Sequence, residues 1–551
     1  MVKSFLKKAG AFALISSLLM VSCPTVSFAD YPIYSQEYTA DPTAVEYNGR
    51  LYVYLSHDVD ATANQSTYNI PEIICISTDD MKNWTDHGVV FNAKNDSKWA
   101  SVSWAPSIVY RNNKFYMYYG NGGNGIGVAV SDSPTGPFKD PRSSALITGS
   151  TPGVQPSSNM WLFDPGAFVD DDGQAYLYFG GNGQNNVRAI KLGSDMISTV
   201  GSAAQLSAPR FFEASELHKY KDNYYYLYAS DFSQSASKIE YMMSKSPMSG
   251  FTYKGVVLSN PPDNYGNNNH AVIIEFKDNW YCVYHNRNLG KQRGVETNYQ
   301  RNAAIDQMFF NSDGTIKEVV PTVDGLKQLK YVDPFVKNVA VNMYKESGTE
   351  TEPCGEGGLN ISEIQNGDWV QVKGVDFKDG ATDFEARVAS NTSGGNIEIR
   401  LDSASGKLVG TCKVDGTGGW QTYTTKTCSI SGATGVHDVF FKFTGGSDYL
   451  LNLSWWKFNS GSVPTATPPV NTPTPTNNNT VIYGDVDGEG SANSIDFGYM
   501  RQYLLGIIQN FPSENGVKAA DLDGSGTFNA LDFGYMRQYI LGIIKELPVK
   551  K

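Results

Sequence analysis

Five short segments in the first 330 residues carry nearly the same pattern, a polar turn followed by alternating aromatic and aliphatic positions. They read NGRLYVYLSH, NNKFYMYYGN, DGQAYLYFGG, DNYYYLYAS and DNWYCVYHN. Alternation of this kind predicts a half-buried β-strand entered from a tight turn. Aligned on one tyrosine, the segments place Tyr54, Tyr118, Tyr178, Tyr228 and Tyr284 in register, at intervals of 64, 60, 50 and 56 residues. Self-similar strands at such a period predict a five-bladed β-propeller over residues 30–330. Thirteen to fifteen residues before those tyrosines stand Asp41, Trp104, Asp164, Glu213 and His270. Equivalent blades would put all five at one backbone position facing the axis, so three carboxylates are expected to converge there.

The pattern changes after the segment 303–322, whose NSDG turn separates two strand-like runs. Residues 335–459 alternate in DFEARVAS, GNIEIRLD and DVFFKFTG between Gly-rich turns and show no helical period, which predicts a β-sandwich. Residues 460–480, SGSVPTATPPVNTPTPTNNNT, lack core-forming residues and predict an extended spacer. Beyond them the chain repeats itself at an offset of 36 residues, with FGYMRQY in both copies, and each copy pairs an Asp-rich loop with an apolar helix face across 481–551. The fold class expected is therefore mainly β, with a propeller, a sandwich and a small α-helical unit.

Composition narrows the setting. A chain of 551 residues exceeds one hydrophobic core, and only 18% of it is charged, with 13% aromatic residues. A net charge of −12 excludes nucleic acid as a partner, because phosphate binding rests on clustered Lys and Arg. The start, MVKSFLKKAG followed by AFALISSLLMVS and the Ser27-Phe28-Ala29 site, predicts a signal peptide over 1–29, hence a secreted, extracellular protein. That apolar run is too short for a comfortable span, and no membrane insertion is expected. Cys75, Cys282, Cys354, Cys412 and Cys428 remain beyond it. Their spacing matches neither a zinc site nor a redox motif, and a bridge between Cys412 and Cys428 is allowed.

The Asp-rich loops carry the sharpest chemistry. Calcium takes six to eight oxygens, which a twelve-residue loop offers at positions 1, 3, 5, 7, 9 and 12. Those positions are Asp485, Asp487, Glu489, the Ser491 carbonyl, Asn493 and Asp496 in the first loop. In the second they are Asp521, Asp523, Ser525, the Thr527 carbonyl, Asn529 and Asp532. Gly490 and Gly526 permit the sharp turn at position 6. The duplicated loops after a Pro/Thr spacer resemble a type I dockerin. The resemblance implies two Ca2+ ions, a cohesin domain of a scaffold protein as partner, and a place in a cell-associated multi-enzyme complex.

Asp41 lies in TADPTAVEYNG, Asp164 in WLFDPGAFVDDDG and Glu213 in RFFEASELHKYKDNYYYLY. With ISTDDMKNWTDHG, WAPSIVY and SDSPTGPF, these strings resemble glycoside hydrolase family 43 over about 290 residues. That implies an inverting hydrolase with Asp41 as general base, Asp164 tuning the acid and Glu213 as general acid. The substrate implied is arabinoxylan or a related hemicellulose, cut as an α-L-arabinofuranosidase, with β-xylosidase or a non-catalytic sugar-binding propeller as the alternatives. His270, in NNNHAVIIEF, corresponds to a family histidine beneath the site near a central metal ion or water, and reads equally as a core histidine. Arg301, in YQRNAA, resembles a sugar-contacting arginine, and Trp104 offers a flat face to a sugar ring. The stretch from SGTETEPCGEGGLN through NGDWVQVKGVDF and GGWQTY to GGSDYLLNLSWW resembles family 6 carbohydrate-binding modules. There Trp420 would stack on sugar and Asn452 bond to it. Glu363 stands where a second stacking tyrosine is common, and Ser454 where an acidic residue is.

Overall fold

The structure is a computed structural model that describes residues 32–59, 67–155, 159–233, 235–266, 268–295, 297–322, 325–460, 481–488, 490–504, 508–540 and 543–548. The expected signal peptide, spacer residues 461–480 and Glu489 lie outside these. The chain divides into two compact units, 1–462 and 463–551.

Five antiparallel sheets follow one another along the first 320 residues. Their first strands are Thr39–Tyr47, Trp104–Arg111, Gly166–Val169, Phe211–Tyr220 and Ala271–Phe276. Each of these touches the next, and the fifth touches the first, so they surround a common axis. No strand among the described residues is shared between the first and fifth sheets. They are held instead by the backbone N–H groups of Thr39 and Ile33, which donate to the carbonyls of Arg301 (2.8 Å) and Ala303 (3.2 Å).

The five aligned tyrosines sit on the second strands and are fully buried. A buried phenol needs a partner for its hydroxyl. Tyr118 donates to the Met196 carbonyl at 2.7 Å and Tyr284 to Asp306 at 2.8 Å; Tyr178 donates to the Pro247 carbonyl. Tyr118 and Tyr178 thereby reach the following sheet, so the repeated residue contributes both core volume and a tie between neighbours.

The sandwich region forms two sheets. One orders Glu350–Pro353, Leu359–Ser362, Asn452–Asn459, Ala381–Ser390 and Gly419–Ala433; the other orders Lys345–Ser347, Trp369–Asp376, Val436–Gly445, Gly395–Leu401 and Lys407–Val414. Phe384, Phe441, Trp456 and Phe458 meet between them, each burial worth about 1.5–3 kcal/mol. Asn342–Met343 leaves this region to pair with Trp84–Asn92, adding a fifth strand to the first sheet.

The last unit has helices Ser494–Leu504, Gly516–Ala520 and Ala530–Ile540. The two long helices are the duplicated segments, and their equivalent Phe497 and Phe533 rings stack at 4.4 Å. None of the described helices is long and apolar enough to cross a membrane.

Candidate active site

The axial acids are presented by irregularities in the innermost strands. Pairing slips between Ala40 and Thr43, between Trp104 and Ser107, and between Glu213 and Glu216. Asp41, Ala105, Asp164 and Ala214 have φ of 46°, 43°, 46° and 62°, a left-handed geometry that costs a non-glycine residue about 1–2 kcal/mol. Thr43, Ser107 and Gly166 pair with Tyr54, Tyr118 and Tyr178, so Asp41, Ala105 and Asp164 are equivalent, each two residues ahead. The five residues expected at one position therefore do not share it. Trp104 and Glu213 precede the left-handed residue by one, and His270 directly precedes Ala271, the partner of Tyr284. The spacing of thirteen to fifteen therefore mixes the offset from the paired residue with the length of the hairpin, since Thr43, Ser107, Gly166 and Ala271 stand 11, 11, 12 and 13 residues before their tyrosines. The third and fourth sheets meet closely here: a Cβ on Gly166 would lie 2.3 Å from the Ser215 carbonyl oxygen.

Asp41, Asp164 and Glu213 are buried and line one cavity of about 450 Å³. Burial raises the Asp41 carboxyl, but the Arg301 guanidinium overrides it, and with His270, His285 and Ser56 brings it down to about 2. Arg301 Nη1 donates to Asp41 Oδ1 at 2.6 Å and to Asn268 Oδ1 at 2.9 Å; its Nε and Nη2 grip both oxygens of Asp58 at 2.8 and 2.7 Å. The guanidinium also lies 4.4 Å over the Tyr68 ring. Arg301 thus reaches the cavity with most of its donors engaged on protein carboxylates and amide.

Burial and then the Asp41 charge push Asp164 up to about 7, against the Ala214 N–H that donates to its Oδ2 at 2.9 Å. Burial also holds Glu213 well above the usual carboxyl range, helped by Asp164 and Asp41 and opposed by Asn268, which donates to Oε1 at 2.7 Å. His270 lies 3.8 Å from Asp41 and 3.9 Å from Asp164, and burial brings it down to about 4, so its ring is neutral at pH 7. One carboxylate stays ionised while a neighbouring carboxylic acid keeps its proton, the division of charge that acid–base cleavage requires.

Sequence reasoning missed four residues here. His285 Nδ1 accepts the Asp41 N–H at 3.2 Å, so its proton is on Nε2 and donates to the Asn268 carbonyl at 2.9 Å. Asn268, Asp58 and Tyr68 complete the set. Asp58 and His285 stand at the ends of repeat strands, and Asn268 lies two residues before His270, a position the repeats themselves mark. Trp104 lines the cavity, and its buried indole N–H has no hydrogen-bond partner among the described residues. Trp161, Phe212 and Phe232 form the rest of an aromatic wall, edge to face at 5.7 and 5.0 Å, with Trp161 42% and Phe232 43% exposed. A wider cleft of about 520 Å³ between the first sheet and the sandwich, walled by His87, Lys337 and Trp455, holds none of the three axial acids.

In the sandwich, Trp420 is half-buried at the start of its strand, and Asn452 Nδ2 donates to Glu352 (2.6 Å) and to the Trp420 carbonyl (2.9 Å). Both amide hydrogens are spent, so Asn452 has only Oδ1 to offer a ligand. Glu363 accepts the hydroxyl of the exposed Tyr449 at 3.3 Å, so an aromatic ring stands beside it after all, brought from a distant loop. Among the described residues, the groups able to hold a metal are Asp485, Asp487 and Asp496, and Asp521, Asp523 and Asp532. Each set places its oxygens within 4.8 Å. Asp496 and Asp532 also accept the N–H groups of Val486 and Leu522 at 2.8 and 2.9 Å, which closes each loop on itself. Hard oxygen donors in this arrangement fit Ca2+.

An axial cavity with a proton-bearing carboxylic acid beside an ionised carboxylate, walled by aromatic rings, meets what acid–base cleavage of a glycoside requires, and the comparisons place the chain among the glycoside hydrolases. The family model for glycosyl hydrolases family 43 matches residues 29–316, and the chain belongs to that family. Models for a family 6 carbohydrate binding module and a dockerin type I domain match 339–460 and 483–541. The chain is 42% identical to the arabinoxylan arabinofuranohydrolase of Paenibacillus polymyxa over 78% of its length and 74% of that protein's. It is equally identical to the arabinoxylan arabinofuranohydrolase of Bacillus subtilis (strain 168), over 78% and 92%. A crystal structure of a family 43 arabinoxylan arabinofuranohydrolase from Bacillus subtilis in complex with cellotetraose superposes with a TM-score of 0.75 at 41% identity, covering 79% of this chain and 98% of that one.

Proposed function

We propose that the protein is a secreted, inverting α-L-arabinofuranosidase that removes arabinofuranosyl side groups from arabinoxylan. The observation that carries this is the opposed charge preference of Asp41 and Glu213 in one cavity. Asp41, ionised beside Arg301, takes the proton of the attacking water. Glu213 gives its proton to the departing glycosidic oxygen, and Asp164 keeps that proton in place by opposing ionisation of its neighbour. Trp104 and the aromatic wall fit a sugar's apolar face, and the relatives' names supply the substrate class. A β-xylosidase reading draws on a relative named xylosidase/arabinosidase 43A from Humicola insolens, 32% identical over 52% of this chain.

The same reading divides the chain into a signal peptide (1–29), a five-bladed propeller (30–330), a sandwich binding hemicellulose through Trp420 and Asn452 (335–459), a linker (460–480) and a dockerin (481–551). The duplicated loops would each hold one Ca2+ through their aspartates, with Glu489, Ser491, Asn493, Ser525, Thr527 and Asn529 completing the shells. Calcium would order the loops for a cohesin partner. A further ion at the propeller axis is supported only by the neutral His270 between two carboxylates. Side-by-side hydrolysis of aryl α-L-arabinofuranoside and aryl β-xyloside, with the product anomer read by NMR, tests the central claim. Inverted arabinose as the main product is expected, and a retained anomer or a preference for xyloside would overturn it.

A further inference from the structure

The sandwich has a second feature that owes nothing to the catalytic reading. We propose that Cys412 and Cys428 form a disulfide that staples the open edges of the two sandwich sheets.

Lys407–Val414 is the edge strand of one sheet and Gly419–Ala433 the edge strand of the other. A short turn joins them, and they run back past each other without a shared ladder. Three contacts set their register. Lys407 Nζ donates to the Gly432 carbonyl at 2.8 Å. A Cβ on Gly410 would lie 2.3 Å from Ile430 Cδ1 and 3.1 Å from the Ser429 carbonyl oxygen. Lys426 Nζ lies 3.4 Å from Asp415 Oδ2. Each step forward on the first strand is matched by a step back on the second, which sets residue 412 opposite residue 428. Both side chains face inward. Cys412 is buried between Val409 and Val414 on its strand, and Cys428 packs half-buried against the same core, one turn of the pleat before the buried Ile430.

The approach of the two thiols holds the Cys428 thiol below its usual value and, with burial, pushes the Cys412 thiol up. That asymmetry assigns their roles, because the thiolate is the attacking species and access decides which one attacks first. With a small-molecule disulfide as oxidant, Cys428 loses its proton and its sulfur attacks one sulfur of the reagent. The reagent's S–S bond breaks, a mixed disulfide forms, and the first reagent thiol leaves with a proton. Cys412 then loses its proton and attacks the Cys428 sulfur, expelling the second reagent thiol. Two protein thiols are oxidised and one disulfide is reduced to two thiols. Cys75 and Cys282 are buried in the first and fifth sheets, and Cys354 Sγ rests 3.6 Å from Ser454 Oγ.

The test uses the full chain, equilibrated with oxidised glutathione, then denatured, alkylated and digested for mass spectrometry. A linked peptide pair bearing Cys412 and Cys428 is expected, with Cys75, Cys282 and Cys354 alkylated. Calorimetry of the oxidised chain should show dithiothreitol lowering one transition by roughly 10 °C, as a closed loop of about fifteen residues implies. The same addition should leave Cys428→Ala unmoved. Full alkylation after oxidation, a different linked pair, or a linked pair whose reduction leaves the unfolding temperature unchanged would each overturn the proposal.

Discussion

Asp164→Asn removes one potential charge from the axial cavity and keeps an oxygen for the Ala214 N–H, so the backbone bulge should survive. Its consequence falls on Glu213, whose proton is retained first through burial and then through the neighbouring carboxylates Asp164 and Asp41. Asp164 is itself held at about 7, so its charge is present only on the alkaline side. Two unit charges at a separation of the order of 6 Å in an effective dielectric of about 20 interact by about 3 kcal/mol, which for such an acid is about a hundredfold in its protonated fraction. The variant should lose its proton from Glu213 at lower pH, so the alkaline limb of kcat/KM moves toward acid. The loss should be ten- to a hundredfold near pH 8 on arabinoxylan, where the leaving group needs a proton, and far smaller on a 4-nitrophenyl arabinofuranoside. Paired pH profiles on the two substrates make the measurement. An alkaline limb that stays put, or an equal loss on both substrates at every pH, would refute the charge coupling.

Asp41→Ala should abolish turnover and be rescued by azide with an inverted product, read by NMR, since a small anion replaces the activated water. His57 lies between Glu72 (3.0 Å) and Glu37 (3.3 Å); burial opposes its charge but these hydrogen bonds raise it to about 9. Because the folded value is raised, its contribution is complete below pH 6.5 and lost as pH rises through 9, so His57→Gln should cost about 2 kcal/mol at pH 6 and little above pH 9.5 in chemical denaturation, after allowing for the exposed Glu37. Asp485→Ala with Asp521→Ala should remove the calcium-dependent gain in helical circular dichroism and cohesin retention while aryl arabinofuranoside hydrolysis persists. Trp420→Ala should weaken retention on insoluble arabinoxylan in affinity electrophoresis and leave small-substrate hydrolysis unchanged.

Repetition made much of this molecule legible without coordinates. A strand motif recurring five times exposed the sheets, because each copy must bury the same tyrosine between neighbours, and a duplicated loop exposed the acidic groups able to hold a metal, because a twelve-residue loop gathers residues close in sequence. The three axial acids were legible for the same reason: each sits at a nearly constant distance from a repeat strand. What folding alone decided is everything that depends on distant neighbours or on a local break in regularity. Left-handed backbone puts Asp41 and Asp164 at one position and Glu213 one residue ahead of its left-handed neighbour Ala214, an offset that the spacing hides because hairpin length varies as well. The charge states came from burial and from partners such as Arg301, 260 residues from Asp41 in the chain. Tyr449 reaching Glu363 across 86 residues is likewise a fact of packing. A sequence states which side chains repeat, whereas the dielectric and the company each one keeps are set when the chain closes on itself.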